Sequence, residues 1–518
     1  MPRKKVFKTA EEAVEYLFSE ELESEMIALR PEVDELTDEE GFNDTETLDP
    51  SVRDVAGSIE ISVPYENHDD HREKDLSNKS KKRSCSESGS NTHKKGKKEL
   101  IADWKKVPPN YNFSDESNAS KINYEKAVST LEGLSPIEVF EEFLSPTYLE
   151  HILTETEKYA KQWKNKPDFS LTTEELQTFI GFLIFSGYHT LSSERDYWSD
   201  EEDLIVPILR NSMTRNRYLE IKSMIHFADN NEAKSQTNDR AFKIRKLITE
   251  MNANFQKWGI FDKHLSIDEM MIRYYSHHYF KQYIKGKPIR FGYKMWALCG
   301  SNGYCYNFDL YCGKEVVDAA STVVLSKEPL GTRVVKKMLQ PVTDPNSHIV
   351  YFDNFFNSYN LLVDLRKSGF RATGTIRSDR IQHCPLEIDS TFKKTSSGSH
   401  DFYFDEKNKI TAVKWNDNKC VTLATNFDII EPLTSVSRRE KGKAEKNKIE
   451  QPCLVNNYNK NMGGVDSHDW ILEKHTIKIR GKKWYWPIFS RIVDMAVVNT
   501  CVIYNMVNAE KKSIKEIR

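Results

Sequence analysis

Cysteine is sparse and unpatterned: eight residues in 518, with no two spaced Cys-x-x-Cys, so neither a zinc-ribbon spacing nor a dithiol redox motif is present. Cys299, Cys305 and Cys312 fall in a strand-like region and read as core thiols, and scattered free cysteines fit a reducing compartment. Long hydrophobic runs are also missing. No apolar stretch reads as a bilayer span, and Arg3, Lys4 and Lys5 are followed by acids instead of the apolar core of a signal peptide. The expectation is a soluble, intracellular protein with no membrane partner. An excess of one charge is the third absence, because the net formal charge is only −3. Locally the balance is uneven. Acids dominate from Glu20 to Asp49, where Asp38, Glu39, Glu40 and Asp44 are typical, and such a block stays solvated because it has too little apolar surface to bury. From Asp69 to Lys98 the chain turns basic, with Lys79, Lys81, Lys82 and Arg83 and then Lys94, Lys95, Lys97 and Lys98. Two basic clusters in a segment without apolar periodicity suit a bipartite nuclear-import signal, which makes the nucleus the expected location and the import machinery a partner. A flexible linker that touches phosphates is the competing reading.

Residues 1–103 therefore read as a disordered tail, acidic and then basic. A length of 518 residues leaves room for about three or four domains. Over 104–260 the pattern is helical: Ile137, Phe140, Phe143 and Leu144 recur at three or four, Thr172 to Glu175 look like a helix start, and Leu176 to Tyr188 should be buried. Arg215 and Arg217, beside Met213, Tyr218 and Ile221, offer either a DNA-facing surface or an ordinary solvated face. After Leu265 strands take over at Tyr293 to Leu298, Tyr304 to Tyr311 and Ser347 to Phe352, followed by a helix from Tyr359 to Lys367 that ends at Gly369. Strand, strand, strand, helix, strand opens an RNase H-like sheet. Residues 381–455 hold short strands at Asp401 to Phe404, Ile410 to Trp415 and Val421 to Thr425, plus a basic loop with Arg438, Arg439, Lys441, Lys443 and Lys446. The fold class expected is α/β: an RNase H-like core in two parts, 261–380 and 456–473, interrupted by an all-β insertion at 381–455 and flanked by the helical domain. Helices over 474–518 should pack back onto that domain.

The chemistry lies at the strand ends. Ile349, Val350, Tyr351 and Phe352 make a buried-strand pattern that ends in Asp353, and His264 to Ile267 lead in the same way to Asp268 and Glu269. Downstream, Gly463, Gly464 and Val465 precede Asp466, with Asp469 three residues on. An acid at a strand end is often only a turn or cap residue. Three on separate elements are also what a pair of Mg2+ or Mn2+ ions needs, since such hard cations take carboxylate oxygens and a two-ion site clamps both the attacking and the leaving oxygen of a phosphoryl transfer. Asp268, Asp353 and Asp466 are the candidate catalytic and metal-binding residues. Asp469 would share a helix face with Asp466, and the sequence favours Asp466 only through the two glycines beside it, which would let the backbone approach closely. Between Lys281 and Trp296, basic Lys285, Lys287, Arg290 and Lys294 interleave with Tyr283, Phe291, Tyr293 and Trp296, as in a groove that holds phosphates and stacks bases, or as in a plain exposed hairpin. Arg377 and Arg380 follow the Thr375-Ile376 strand, and their planar forks suit phosphate.

Five stretches, Ser266-Ile267-Asp268-Glu269-Met270, Lys285 to Lys294, Phe352 to Phe356, Ala372 to Arg377 and Met462 to Asp466, resemble the piggyBac transposase family, in that family's order and at comparable separations. The resemblance spans Trp104 to the end. It implies an RNase H-like core whose three aspartates match Asp268, Asp353 and Asp466, with Asp469 matching a further acid and basic residues at 377 and 380 contacting DNA. It further implies two magnesium or manganese ions, a homodimer, and as substrate double-stranded DNA, namely transposon ends and a TTAA target. Many members carry a cysteine- and histidine-rich zinc-binding domain; none is expected here, and no zinc. The alternative is a domesticated DNA-binding or chromatin-associated protein that keeps the fold without transposition.

Overall fold

The computed structural model describes residues 4–7, 25–28, 59–62, 101–113, 117–232, 239–284, 287–313, 328–439 and 446–518. It divides into two units, Met1–Ile101 and Ala102–Arg518. In the first, the strands Lys4–Phe7, Glu25–Ala28 and Ile59–Ser62 pair antiparallel with the last in the middle. They fall within the stretch read as a disordered tail, whose residues Asp38 to Asp44 and both basic clusters lie outside the described residues.

The second unit is built on a ten-stranded mixed sheet. Its centre comprises His264–Arg273, Phe291–Gly300, Cys305–Leu310, Ile349–Phe352 and Arg371–Thr375. The first three are antiparallel neighbours in chain order, whereas Ile349–Phe352 lies on the other side of His264–Arg273, parallel to it, with Arg371–Thr375 parallel beyond. Counted along the chain, the spatial order is 3-2-1-4-5. All four residues of Ile349–Phe352 are buried, as a parallel strand covered on both faces requires. The helix Tyr359–Lys367 makes the crossover between the two parallel strands, begins on the Ser358 side chain, and stops before Gly369, whose φ of +87° suits a residue with no Cβ.

Beyond Arg371–Thr375 the sheet does not end. Cys420–Thr425, Ile410–Asn416 and His400–Asp405 add to it antiparallel in that order, and Trp104–Lys105 closes the edge. This corrects the domain plan twice. The β region at 381–455 is an extension of the core sheet, because Thr373 to Thr375 present a ladder edge that Leu423 to Thr425 occupy; only Thr434–Arg439 and Lys446–Gln451 form a separate hairpin. Trp104, placed with the helical region, instead belongs to the sheet.

The helical region carries its start signals in the sequence. Ser135 and Thr172 form reciprocal capping boxes with Glu138 and Glu175, opening Pro136–Glu141 and Thr173–Phe185. The helix Trp486–Val507 returns to this region: Trp486 meets Phe179 edge-on at 6.2 Å, the Tyr485 hydroxyl hydrogen-bonds His226 Nδ1 at 2.8 Å, and Lys483 donates to the Ile225 carbonyl at 2.7 Å. By length and composition this helix could cross a membrane, contrary to the expectation that no run would, but 89% of its apolar window is buried inside the protein. Buried Arg491, Asp494 and Asn499 along it mark the central helix of a globular core.

Candidate active site

Register places the first two acids. Ile267 is paired with Phe352 across the parallel strands, so the next residue on each, Asp268 and Asp353, emerge side by side at the same end of the sheet. Neighbouring strands run about 4.8 Å apart, which makes the two carboxylates adjacent without any loop having to bring them together. Asp268 is only 9% exposed. Burial, then the charge of Glu269, drive its carboxyl up to about 8, against the opposing pull of Lys287 and of the Glu269 N–H that it accepts at 2.8 Å. Burial also raises Asp353, while the Phe355 N–H donated to its Oδ1 at 2.9 Å works the other way.

The third acid arrives on a helix. Gly464–Glu473 starts against the sheet, where the Val465 N–H donates to Ser266 Oγ at 3.1 Å. A Cβ on Gly464 would stand 2.4 Å from the Gly300 carbonyl oxygen, so only glycine permits this approach; Gly463 has open space and no such role. The two acids of this helix differ. Asp466 is exposed on the first turn, whereas Asp469 is gripped by the Arg491 guanidinium at 3.3 Å. Burial raises Asp469 and Arg491 opposes it.

Lys287 sits at the centre of these charges. Its ammonium is 3.8 Å from Asp268 Oδ2 and 3.6 Å from Glu269 Oε1, and it donates to the Glu269 carbonyl at 3.4 Å. Burial pulls it down, but Asp268, Glu269, Asp466 and Asp469 together hold it above the usual lysine range. Among the described residues no three acids, histidines or cysteines stand in metal-holding geometry. The donor chemistry nevertheless fits a hard divalent cation: carboxylate oxygens in excess, buried Asp268 adjacent to half-buried Asp353, with an ammonium lodged where positive charge is favoured.

The remaining candidates separate. Lys285 lies outside the described residues, and Arg290 and Arg377 are exposed. Arg380 turns inward, donating from Nη1 to the Asn354 and Phe355 carbonyls at 2.9 and 3.0 Å, so it holds the turn that carries Asp353. Arg217, offered as a DNA-facing residue, is engaged by Glu175 and Glu220. Sequence reasoning assigned no role to Glu269, Arg491 or Trp470. Glu269 follows Asp268 directly and was visible; Arg491 looked like one more basic residue in a helical tail. Trp470, 65% exposed beneath the Lys474 ammonium, lies one turn beyond Asp466, the spacing that would have marked it. Lys294 stacks over Trp296 at 4.1 Å, and Trp296 lies flat against Phe355 at 5.6 Å, which ties the basic-aromatic stretch to the Asp353 turn.

A family model described as Transposase IS4 matches residues 135–501. Human piggyBac transposable element-derived protein 2 is 34% identical over 375 residues, covering 72% of this chain and 62% of that protein; human piggyBac transposable element-derived protein 3 is 36% identical over 386 residues, covering 74% and 63%. This chain thus spans less than two thirds of the length of these relatives. In fold it is similar to a piggyBac transposase solved by cryo-EM as a synaptic complex with hairpin DNA, at a TM-score of 0.60 and 21% identity over 75% of this chain and 80% of that one. With the match running through most of the second unit, the chain belongs to the piggyBac transposase family.

Proposed function

We propose that the protein is a nuclear, metal-dependent DNA transposase that cleaves DNA strands and transfers them at TTAA sites, working as a homodimer. The observation that carries this reading is the parallel register that sets Asp268 beside Asp353 at one end of a 3-2-1-4-5 sheet, the strand order of an RNase H-like core. Asp268 and Asp353, with Asp466 from the helix, would hold one or two magnesium or manganese ions; Asp469, already bound to Arg491, would orient that helix. When bound, such ions polarise a phosphodiester and make water a competent nucleophile near neutral pH.

The chain's own residues do the rest. Exposed Arg290 and Arg377 attract the phosphate backbone, Arg380 fixes the Asp353 turn through two carbonyls, and Lys287 compensates Asp268 and Glu269. Lys287 offsets part of the carboxylate charge in the absence of DNA, and a phosphate drawn toward Lys287 would release Asp268 from it. A second reading, a DNA-binding protein without strand-cleaving activity, draws on the same lysine and on the absence of a preassembled acid trio among the described residues.

The deciding experiment is incubation of the purified chain with TTAA-flanked duplex DNA and Mg2+ or Mn2+, alongside Asp353→Asn. Nicks made by the wild type and lost in the variant establish the transposase reading. Binding without nicking by either protein would establish the binding protein instead.

A further inference from the structure

All nine tryptophans lie among the described residues, and only Trp163 and Trp470 are exposed. Trp470 is the more open of the two, at 65%. It stands on the helix Gly464–Glu473, whose buried residues Val465, His468 and Leu472 turn inward. Asp466 and Trp470 are both exposed and lie four residues apart, a spacing that puts Cβ atoms about 5–6 Å from each other on one helix face. The indole is therefore a direct neighbour of the acid at the rim of the site. The Lys474 ammonium sits 3.4 Å from its ring centroid, and a cation over a π face holds the ring in one orientation.

The charge beside this ring is positive. Burial, and then the charges of Arg518, Lys515 and Lys474, lower the proton affinity of His475, so the three cations gather past the end of the helix. Asp494 pairs with Arg518, whereas Lys474 and Lys515 are exposed. Of the acids close by in the chain, Glu473 is paired with Arg491 at 2.8 Å and Glu510 with Lys512 at 3.1 Å, and Glu516 caps the helix Ile514–Ile517. An exposed indole between a site acid and exposed lysines is the combination that holds single-stranded nucleic acid: the ring stacks on a base and the ammonium groups take the backbone. Inside a duplex each base already stacks on its neighbours, so such a ring serves a base that has left the stack.

We propose that Trp470 is a stacking platform for one unpaired base of the DNA strand that enters the site, with Lys474 taking the adjoining phosphate. The inference rests on the DNA-binding reading above and adds to it a residue that positions the strand relative to Asp466. Because every base has a π face, the platform favours unpaired over paired DNA without choosing among the four bases.

The test uses the full chain without divalent metal, and labelled duplexes with a short overhang of dA, dC, dG or dT, or the same overhang made abasic, read by fluorescence anisotropy. Wild type is expected to bind the four base-bearing overhangs about tenfold more tightly than the abasic one, the worth of one stacked base. Trp470→Ala should bring them down to the abasic level, and Trp470→Phe, which keeps a ring, should retain most of the ratio. An exposed ring leaves no cavity when it is removed, so both variants should melt with the wild type. Equal affinity of the wild type for base-bearing and abasic overhangs would overturn the platform. A ratio that survives in Trp470→Ala would overturn it too, and if that variant instead changes the sedimentation of the chain, the indole belongs to a contact with a second copy. Failure to bind any of the duplexes would overturn the DNA reading itself, and the platform with it.

Discussion

Two pairs of acids face each other across this site and are held in opposite ways. Asp268 and Asp353 end neighbouring parallel strands, with a lysine 3.8 Å from the first and, among the described residues, no arginine ion-paired to either. Asp469, on the helix opposite, is bound by an arginine that is itself only 6% exposed and that also grips Glu473 at 2.8 Å. The difference teaches how to separate a chemical acid from a supporting one. A carboxylate whose burial raises its proton affinity, with only an ammonium near it, is stored in an unfavourable state that a cation or a phosphate can relieve. A carboxylate held by a buried guanidinium has its partner already. Asp466 stands apart from both, exposed on the first turn of the same helix.

The largest effect expected from breaking the comparison is on chemistry. Asp353→Asn keeps the shape of the side chain and its acceptor for the Phe355 N–H, but removes the charge; strand cleavage should fall about 10³-fold or more, equivalent to about 4 kcal/mol of barrier, while unfolding temperature stays near that of the wild type. Retained cleavage in a single-turnover assay would remove Asp353 from the site. Arg491→Met is the mirror image. It leaves Asp469 and Glu473 without their guanidinium and should destabilise the second unit by about 3–4 kcal/mol, read by urea denaturation. A loss under 1 kcal/mol would mean that the helix acids do not depend on it.

The third prediction sharpens the contrast through pH. Asp268 binds its proton more tightly in the folded chain, up to about 8, than an aspartate near 3.9 does in the unfolded one. Its burial therefore carries no charge penalty below about pH 4, and the penalty grows as pH rises through the interval to 8. Asp268→Asn should accordingly stabilise the protein by roughly 3–4 kcal/mol more at pH 8 than at pH 5, a difference that thermal melts at the two pH values would measure. Asp469, which burial also raises while Arg491 opposes it, should show a smaller difference of the same sign. Equal shifts at pH 5 and pH 8 for Asp268→Asn would show that Lys287 already neutralises it fully.

Much of this contrast was legible in the residues. Asp268 and Asp353 were marked because each terminates an apolar strand pattern, a position where burial and charge collide, and Gly464 because two glycines before an acid announce close approach. What could not be read was register. The adjacency of Asp268 and Asp353 depends on Ile267 lying opposite Phe352, a pairing between strands more than eighty residues apart that neither pattern encodes. The continuation of the core sheet through His400–Asp405, Ile410–Asn416 and Cys420–Thr425 was hidden for the same reason: the strands themselves were visible, but which edge they join is a long-range fact. Arg491 escaped because a helix pattern shows the apolar stripe, and the one cation inside that stripe is only meaningful once the facing acids are known.

The smallest effect concerns the two arginines that a single motif placed together. Arg377 is exposed at the end of its strand, and Arg380, three residues on, donates to the backbone of the Asp353 turn. A side chain that meets DNA mainly through phosphate contributes one released counterion, so Arg377→Ala should lower the slope of log affinity against log salt by about 0.9 and weaken binding severalfold at low salt, equally for all sequences. Arg380→Ala removes a turn support as well, and its loss should exceed that of Arg377→Ala in cleavage more than in binding. The comparison is made by fluorescence anisotropy across a salt series together with cleavage of the same duplex. If Arg377→Ala leaves the slope unchanged, it does not touch phosphate. If the two variants lose cleavage and binding in the same proportion, Arg380 acts only as a second phosphate ligand, and its hold on the Asp353 turn has no part in the chemistry.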